Sequence, residues 1–313
     1  MAFSGKYSSF LKIIRPMNCL FAMFTTFLGF FYLNYYSQID QETFSILRFP
    51  FSIIFACLST FLIASGGYVI NDVFDIEIDR VNKPKRPLPK GEMSLIQAHF
   101  YSLILFSYGF VMALFTRNIY CIYISLINSV SLYLYAKYYK KTFLIGNILV
   151  AWNACSTFIY GALISSNLKN ILPLVCFSFF YTLIREWVKT IEDYEGDFKE
   201  NVNSIAVVCG INKTLYFMMI PAFLMIASLI YFYQIGLINS FMNITLHLTI
   251  TIPLILFFFI LLGLCNKTKH NSITLIDDKF AKIQKYMKFN MILIVIVFVI
   301  NHLLGKSDIM SAS

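Results

Sequence analysis

Nine apolar runs, each close to the length of a membrane-spanning helix, constrain this chain more than any other feature. They cover residues 16–36, 49–70, 95–116, 118–136, 142–165, 171–191, 214–234, 241–264 and 289–304. A helix needs about 20 apolar residues to cross the hydrocarbon core of a bilayer. Backbone groups in lipid must be satisfied internally, which a helix does within one segment. The expected fold is therefore all-α, a polytopic membrane protein of nine transmembrane helices. One membrane domain is expected over residues 1–313, with its core at about 10–305. Charge content agrees, since Asp, Glu, Lys and Arg make up 13% of the chain against roughly 25% in soluble domains.

The basic residues orient these runs. With the N-terminus inside, strict alternation leaves only Arg48, Arg117, Lys169 and Lys306 of the 25 Lys and Arg residues outside. Inner loops of membrane proteins carry such an excess. The expected topology is multi-pass in the cell membrane, with a cytoplasmic N-terminus and an outer C-terminus. The net charge of +9 is then a topological signal. No basic stripe interleaved with aromatic residues forms a nucleic-acid face, and nothing calls for an obligate protein partner. The opening MAFSGKYSSFLKIIRP lacks a compact apolar core with a cleavage site, so no removable signal peptide is expected. The seven cysteines contain no CxxC pair and the four histidines lie far apart, which argues against zinc or a disulfide framework.

Charges then arrive abruptly at the end of the second run. The stretch Asn71 to Gly91 reads NDVFDIEIDRVNKPKRPLPKG. Asp72, Asp75 and Asp79 are spaced i, i+3, i+7 and share one helical face. Like charges so placed repel one another, an arrangement that makes sense if cations sit between them. Hard divalent ions take oxygen ligands, and Mg²⁺ commonly uses one or two carboxylates plus substrate phosphates. Glu77 is turned about 160° from Asp79 and points elsewhere. Pro84, Pro87, Pro89 and Gly91 mark the following segment as a loop. Within it Lys83 and Arg86 are the candidate phosphate contacts, Arg86 because a guanidinium binds phosphate oxygens bidentately.

A second acidic stretch, REWVKTIEDYEGDFKEN, spans Arg185 to Asn201. Glu186, Lys189, Asp193 and Asp197 form one stripe at i, i+3, i+7, i+11, with Gly196 weakening the helix just before Asp197. Both stretches lie on the inner side. Charge in mid-bilayer costs at least ~2.5–3.5 kcal/mol, so the five aspartates are expected around one water-filled central cavity. Five carboxylates, two Mg²⁺ and a diphosphate leave a negative balance that nearby Lys and Arg must offset. Carboxylates, basic groups and long apolar walls together describe a site for a lipid diphosphate. Asn18, one turn into the first helix behind Arg15 and Pro16, is either helix-packing glue or part of that site. Ala64 to Gly67 permits close helix approach. Asn147 and Asn153 are amides at membrane depth that demand partners. The loop at Lys137, Lys140 and Lys141 is short and basic.

These residues resemble the UbiA-type intramembrane prenyltransferases. That family has nine helices, a first motif NDxxDxxxD after the second helix and a second DxxxD after the sixth. Here the motifs are Asn71 to Asp79 and Asp193 to Asp197, and the resemblance covers roughly residues 10 to 305. Within the family, NKPKRPLPKGEMS and REWVKTIEDYEGD look most like the digeranylgeranylglyceryl phosphate synthases.

The resemblance implies a Mg²⁺-dependent enzyme with two metal ions held by Asp72, Asp75, Asp79, Asp193 and Asp197. It implies substrate contacts from Arg15, Asn18, Asn71, Lys83, Arg86, Lys137, Lys140 and Lys189. Metal and basic groups stabilise the diphosphate as the allylic C–O bond breaks. Tyr68 or Tyr181 could face the allylic cation. The acceptor is the hydroxyl of geranylgeranylglyceryl phosphate, whose own phosphate would be met by Lys12, Arg15, Lys137 or Lys140. A ring carbon, as in quinone-forming members, is the alternative acceptor. A transporter is the non-enzymatic alternative, although it would more naturally place acids at mid-helix in broken helices.

Overall fold

A computed structural model describes residues 9–36, 51–164 and 168–238, with isolated positions beyond 238. The described residues are helical, with no strand among them. The long helices are α1 (Pro16–Tyr36), α2 (Phe51–Phe74), α4 (Leu95–Phe115), α5 (Ile119–Lys137), α6 (Ile145–Ala162), α7 (Leu172–Glu192) and α10 (Ile211–Gln234). Short helices α3 (Ile76–Asn82), α8 (Tyr194–Lys199) and α9 (Ile205–Cys209) stand between them. These correspond to the first seven apolar runs. The runs at 241–264 and 289–304 lie largely outside the described residues. Among the described residues, five helices are long and apolar enough to cross a membrane: Phe51–Phe74, Leu95–Phe115, Ile119–Lys137, Lys169–Glu192 and Ile211–Gln234.

Local chemistry explains the helix ends. The Ser94 hydroxyl accepts from the Gln97 backbone N–H at 3.2 Å while the Gln97 side-chain Oε1 accepts from Ser94 N–H at 3.1 Å, a reciprocal cap that starts α4. The α4–α5 connection turns sharply through Arg117, at φ 56°. Asn118 then caps α5 by accepting from Tyr120 N–H at 2.9 Å and donates its amide to Leu163 O at 2.6 Å.

Packing divides the chain into two compact units. One comprises Met1–Lys140 with Asn153–Ile171, the other Lys141–Trp152 with Leu172–Ser313. In the first, α2 is central and packs on α1, α4 and α5. Its interior is stitched by hydroxyls: Tyr160 donates to Ser59 at 2.9 Å and Ser59 to Gly109 O at 2.7 Å. Thr26 bonds Thr60 at 2.9 Å, and Thr25 bonds Thr157 at 2.8 Å. Asn153 meets its need at depth through Ser131, donating at 2.9 Å. Small residues set the spacing. A Cβ on Gly161 would lie 1.7 Å from the Thr26 carbonyl oxygen, which is backbone and cannot swing aside. Gly161→Ala is therefore expected to force the helices apart, at a cost of about 1–3 kcal/mol or more. The loss should appear as a lower thermal midpoint in detergent, and an unchanged midpoint would refute this close approach.

In the second unit α7 packs on α10, and α9 lies against both. Gly210, at φ 80°, makes the turn from α9 into α10. Tyr181 is almost wholly buried and its hydroxyl donates to Met287 O at 2.9 Å.

A buried, charge-matched acid cluster and its second counterpart

The end of α2 builds the first site. The Asn71 carbonyl accepts from Asp75 N–H at 3.0 Å and that of Asp75 from Asp79 N–H at 2.8 Å, so helical bonding persists through the motif. The backbone nevertheless breaks step at Asp75, at φ −89° and ψ 2°, which divides α2 from α3. The single helical face expected from spacing is thus two helices in near-register. Asp72, Asp75 and Asp79 are 3%, 6% and 3% exposed. Glu77, as expected, turns outward and pairs with Arg80 at 2.9 Å.

Each buried carboxylate meets a cation brought from elsewhere in the same unit. Arg15 pairs with Asp72, and Arg86 bridges Asp72 at 3.1 Å and Asp79. Lys140 pairs with Asp75, which also accepts from the Asn71 amide at 2.7 Å. Arg15, Asn71, Arg86 and Lys140, all expected at the site, are therefore brought onto the carboxylates. Three positive side chains face three negative ones. The pairing offsets the repulsion that the spacing imposes and compensates the cost of burying the charges.

Apolar packing holds the segments of Arg15 and Arg86 in place. Ile13, Ile14, Leu88 and Met93 join Val69, Ala98 and Leu105 in one buried cluster. It clamps the residues before Arg15 against the loop that carries Arg86. Ser9 donates to Glu92 at 2.7 Å and Lys90 pairs with Glu92 at 3.2 Å, closing the same clamp at its edge. These contacts hold the Glu92 carboxyl below its ordinary range. Arg15 sits at φ 52° immediately before Pro16. A non-glycine residue rarely adopts that conformation. Its guanidinium bond to Asp72 and its seat 4.9 Å over the Tyr68 ring offset the strain. Tyr68 thus lies beneath Arg15.

Other expected contacts occupy exposed positions. Asn18 is exposed on α1. Lys83 is exposed after α3, where its backbone N–H donates to Asp79 O at 2.9 Å. Lys137 rests over the rings of Tyr138 and Tyr133, at 4.8 and 6.0 Å. The clamp role of Ser9, Leu88, Glu92 and Met93 is not legible in the sequence: Leu88, Glu92 and Met93 lie within NKPKRPLPKGEMS, but Ser9 stands 83 positions before Glu92 and no spacing links it to them.

The second acidic stretch belongs to the other unit and repeats the local design. Asp193 breaks step between α7 and α8 at φ −86° and ψ 4°, nearly the angles of Asp75. The break falls at Asp193, and Gly196 lies inside α8 without interrupting it. The Asp193 carbonyl accepts from Asp197 N–H at 2.9 Å, as that of Asp75 does from Asp79. Asp193 and Lys189 are exposed and Asp197 is half-buried. Glu186 pairs with Arg185 at 2.6 Å.

Comparisons with known proteins span both acid motifs. Residues 22–275 match the UbiA prenyltransferase family. The chain belongs to that family. It is a prenyltransferase and an integral membrane protein. A digeranylgeranylglyceryl phosphate synthase of Sulfurisphaera tokodaii is 36% identical over 236 residues, 74% of this chain and 81% of that protein. One of Methanococcus maripaludis is 32% identical over 295 residues, 94% of this chain and 98% of the relative. A solved digeranylgeranylglyceryl phosphate synthase superposes with a TM-score of 0.74 at 31% identity, covering 95% of this chain and 98% of its own. A UbiA homologue from Archaeoglobus fulgidus, solved with DMAPP and Mg²⁺, shares the fold with a TM-score of 0.65 at 18% identity, over 92% and 99% of the two chains.

Among the described residues no three acidic, His or Cys side chains converge tightly enough to hold a metal ion unaided. The buried donor set is nevertheless carboxylate oxygen, the hard ligand that Mg²⁺ prefers. Mg²⁺ also ordinarily completes its shell with water and phosphate oxygens. The residues therefore fit a metal bound together with a diphosphate.

Proposed function

We propose that this prenyltransferase moves a geranylgeranyl group from its diphosphate to the free hydroxyl of geranylgeranylglyceryl phosphate, in a Mg²⁺-dependent reaction. The observation that carries the chemistry is the buried cluster in which Arg15, Arg86 and Lys140 cover Asp72, Asp75 and Asp79. The acceptor rests on relatives of that name that align along most of both chains. In this reading Asp72, Asp75 and Asp79 hold Mg²⁺, and two ions are expected. Asp193 and Asp197 share the role, on the strength of the backbone geometry they repeat. Bound Mg²⁺ would neutralise diphosphate charge as the allylic C–O bond breaks.

The chain's own groups do the rest. Arg15, Arg86 and Lys140 turn from carboxylate to phosphate oxygens and stabilise the leaving diphosphate. Asn71, held against Asp75, orients that carboxylate. The apolar clamp of Ile13, Ile14, Leu88 and Met93 keeps water from the cation side of the cluster. Lys137, exposed and three residues before Lys140, is proposed to meet the acceptor's phosphate, with Lys12 a further cation at the N-terminal end. Asn18, Lys83 and Lys189 are proposed as outer substrate contacts. The nine-helix membrane domain over 1–313 belongs to the same proposal.

Purified protein should be given geranylgeranyl diphosphate and Mg²⁺ with either geranylgeranylglyceryl phosphate or an aromatic acid, and the products read by mass spectrometry. The ether product alone is expected. Prenylation of the aromatic ring would replace this acceptor with the quinone-type one, and consumption of neither would point back to a transporter. The cytoplasmic placement of both acid motifs is tested by impermeant thiol labelling in intact cells. Ser311→Cys should react from outside and Lys85→Cys should not; the reverse pattern inverts the topology.

A further inference from the structure

The cluster's charge balance has a consequence for the order in which its ligands bind. Free Mg²⁺ reaching Asp72, Asp75 or Asp79 must displace Arg15, Arg86 or Lys140. The displaced cation would then stand beside a dication with no anion to receive it. Asp72 is 3% exposed, so little water is present to screen that repulsion. A diphosphate removes the difficulty, because its oxygens accept the guanidinium and ammonium groups as they leave the carboxylates. Packing also limits how far the two arginines can withdraw. Arg15 is seated 4.9 Å over the Tyr68 ring, and Arg86 lies two residues from buried Leu88.

We propose that Arg15, Arg86 and Lys140 are exchangeable internal counterions that exclude free divalent metal and admit it only with a diphosphate. Arg86 carries most of this selectivity because it bridges two of the three carboxylates. The proposal rests on the prenyl diphosphate reading above. It predicts positive coupling between metal and diphosphate, and such coupling is reciprocal.

The test is binding rather than turnover. Radioactive Mn²⁺ is equilibrated by dialysis against the purified full-length protein in detergent, with and without geranylgeranyl thiolodiphosphate, an unreactive donor analogue. Saturating analogue is expected to raise Mn²⁺ affinity about tenfold or more. In Arg86→Gln, affinity for Mn²⁺ alone should rise and the enhancement by the analogue should shrink. Equal Mn²⁺ affinity in wild type with and without analogue would overturn the proposal, whatever the variant does. If Asp75→Asn keeps wild-type affinity for Mn²⁺ and analogue together, the cluster is not the diphosphate site, and the functional reading fails with it.

Discussion

Replacing Asp75 by Asn is expected to lower kcat by about 10² or more at saturating Mg²⁺, with Asp193→Asn falling comparably and Glu77→Gln remaining near wild type. Loss of one preorganised electrostatic contact commonly has an effect of that order. Asp75 is buried at the step between α2 and α3, where Asn71 and Lys140 both bond its carboxylate. Asp193 occupies the matching step between α7 and α8. Glu77 lies two residues from Asp75 and carries the same formal charge, but its side chain is 75% exposed and engages only Arg80 among the pairs described. The three variants therefore separate a local role from bulk electrostatics. Steady-state kinetics on purified protein is the check. Equal damage from Glu77→Gln would remove the argument from geometry, and full activity in all three would remove the acids from catalysis.

Arg86→Ala should be the most destabilising single change in the cluster, by about 3–5 kcal/mol, the usual range when one partner of a buried ion pair is deleted. Its guanidinium serves two carboxylates, and the side chains of Asp72 and Asp79 are each 4% exposed. Without Arg86, Asp79 has no remaining cation among the described pairs, and Asp72 keeps only Arg15. Arg86→Lys should recover part of the loss, since an ammonium keeps the charge but lacks the fork that spans both acids. Arg80→Ala removes a pair that is open to solvent and should cost at most about 1 kcal/mol. Denaturation of the detergent-solubilised variants compares them directly. An Arg86→Ala protein as stable as Arg80→Ala would show that the buried bridge contributes nothing.

Much of the site was written locally. Asp72, Asp75 and Asp79 follow one another at helical spacing, so their shared direction is a property of the backbone and needs no partner. The same spacing turns Glu77 away. The apolar runs likewise carry their helices within themselves, because a helix bonds its own backbone over four residues. Seven of them reappear nearly at the expected ends.

The identity of the counterions was another matter. Spacing implied cations among the aspartates and suggested metal. Tertiary structure supplied Arg15 from 57 positions upstream of Asp72 and Lys140 from 65 positions downstream of Asp75. Nothing in the sequence distinguishes these two from Lys83 or Lys137, which end on the surface and over tyrosine rings. Apolar packing decides it: the clamp of Ile13, Ile14, Leu88 and Met93 seats the segment of Arg15, and Ala136 packed with Ile63 and Ile70 brings the end of α5, just before Lys140, against α2. The helical steps at Asp75 and Asp193 were hidden for a related reason. A change of φ and ψ that preserves the i to i+4 bonds leaves no mark on residue spacing. Sequence alone therefore determined the helices, the acid faces and the family they resemble, all properties of bonds and spacing within a few turns. Which cation meets which carboxylate depends on side-chain packing between distant segments, and that only the folded chain could choose.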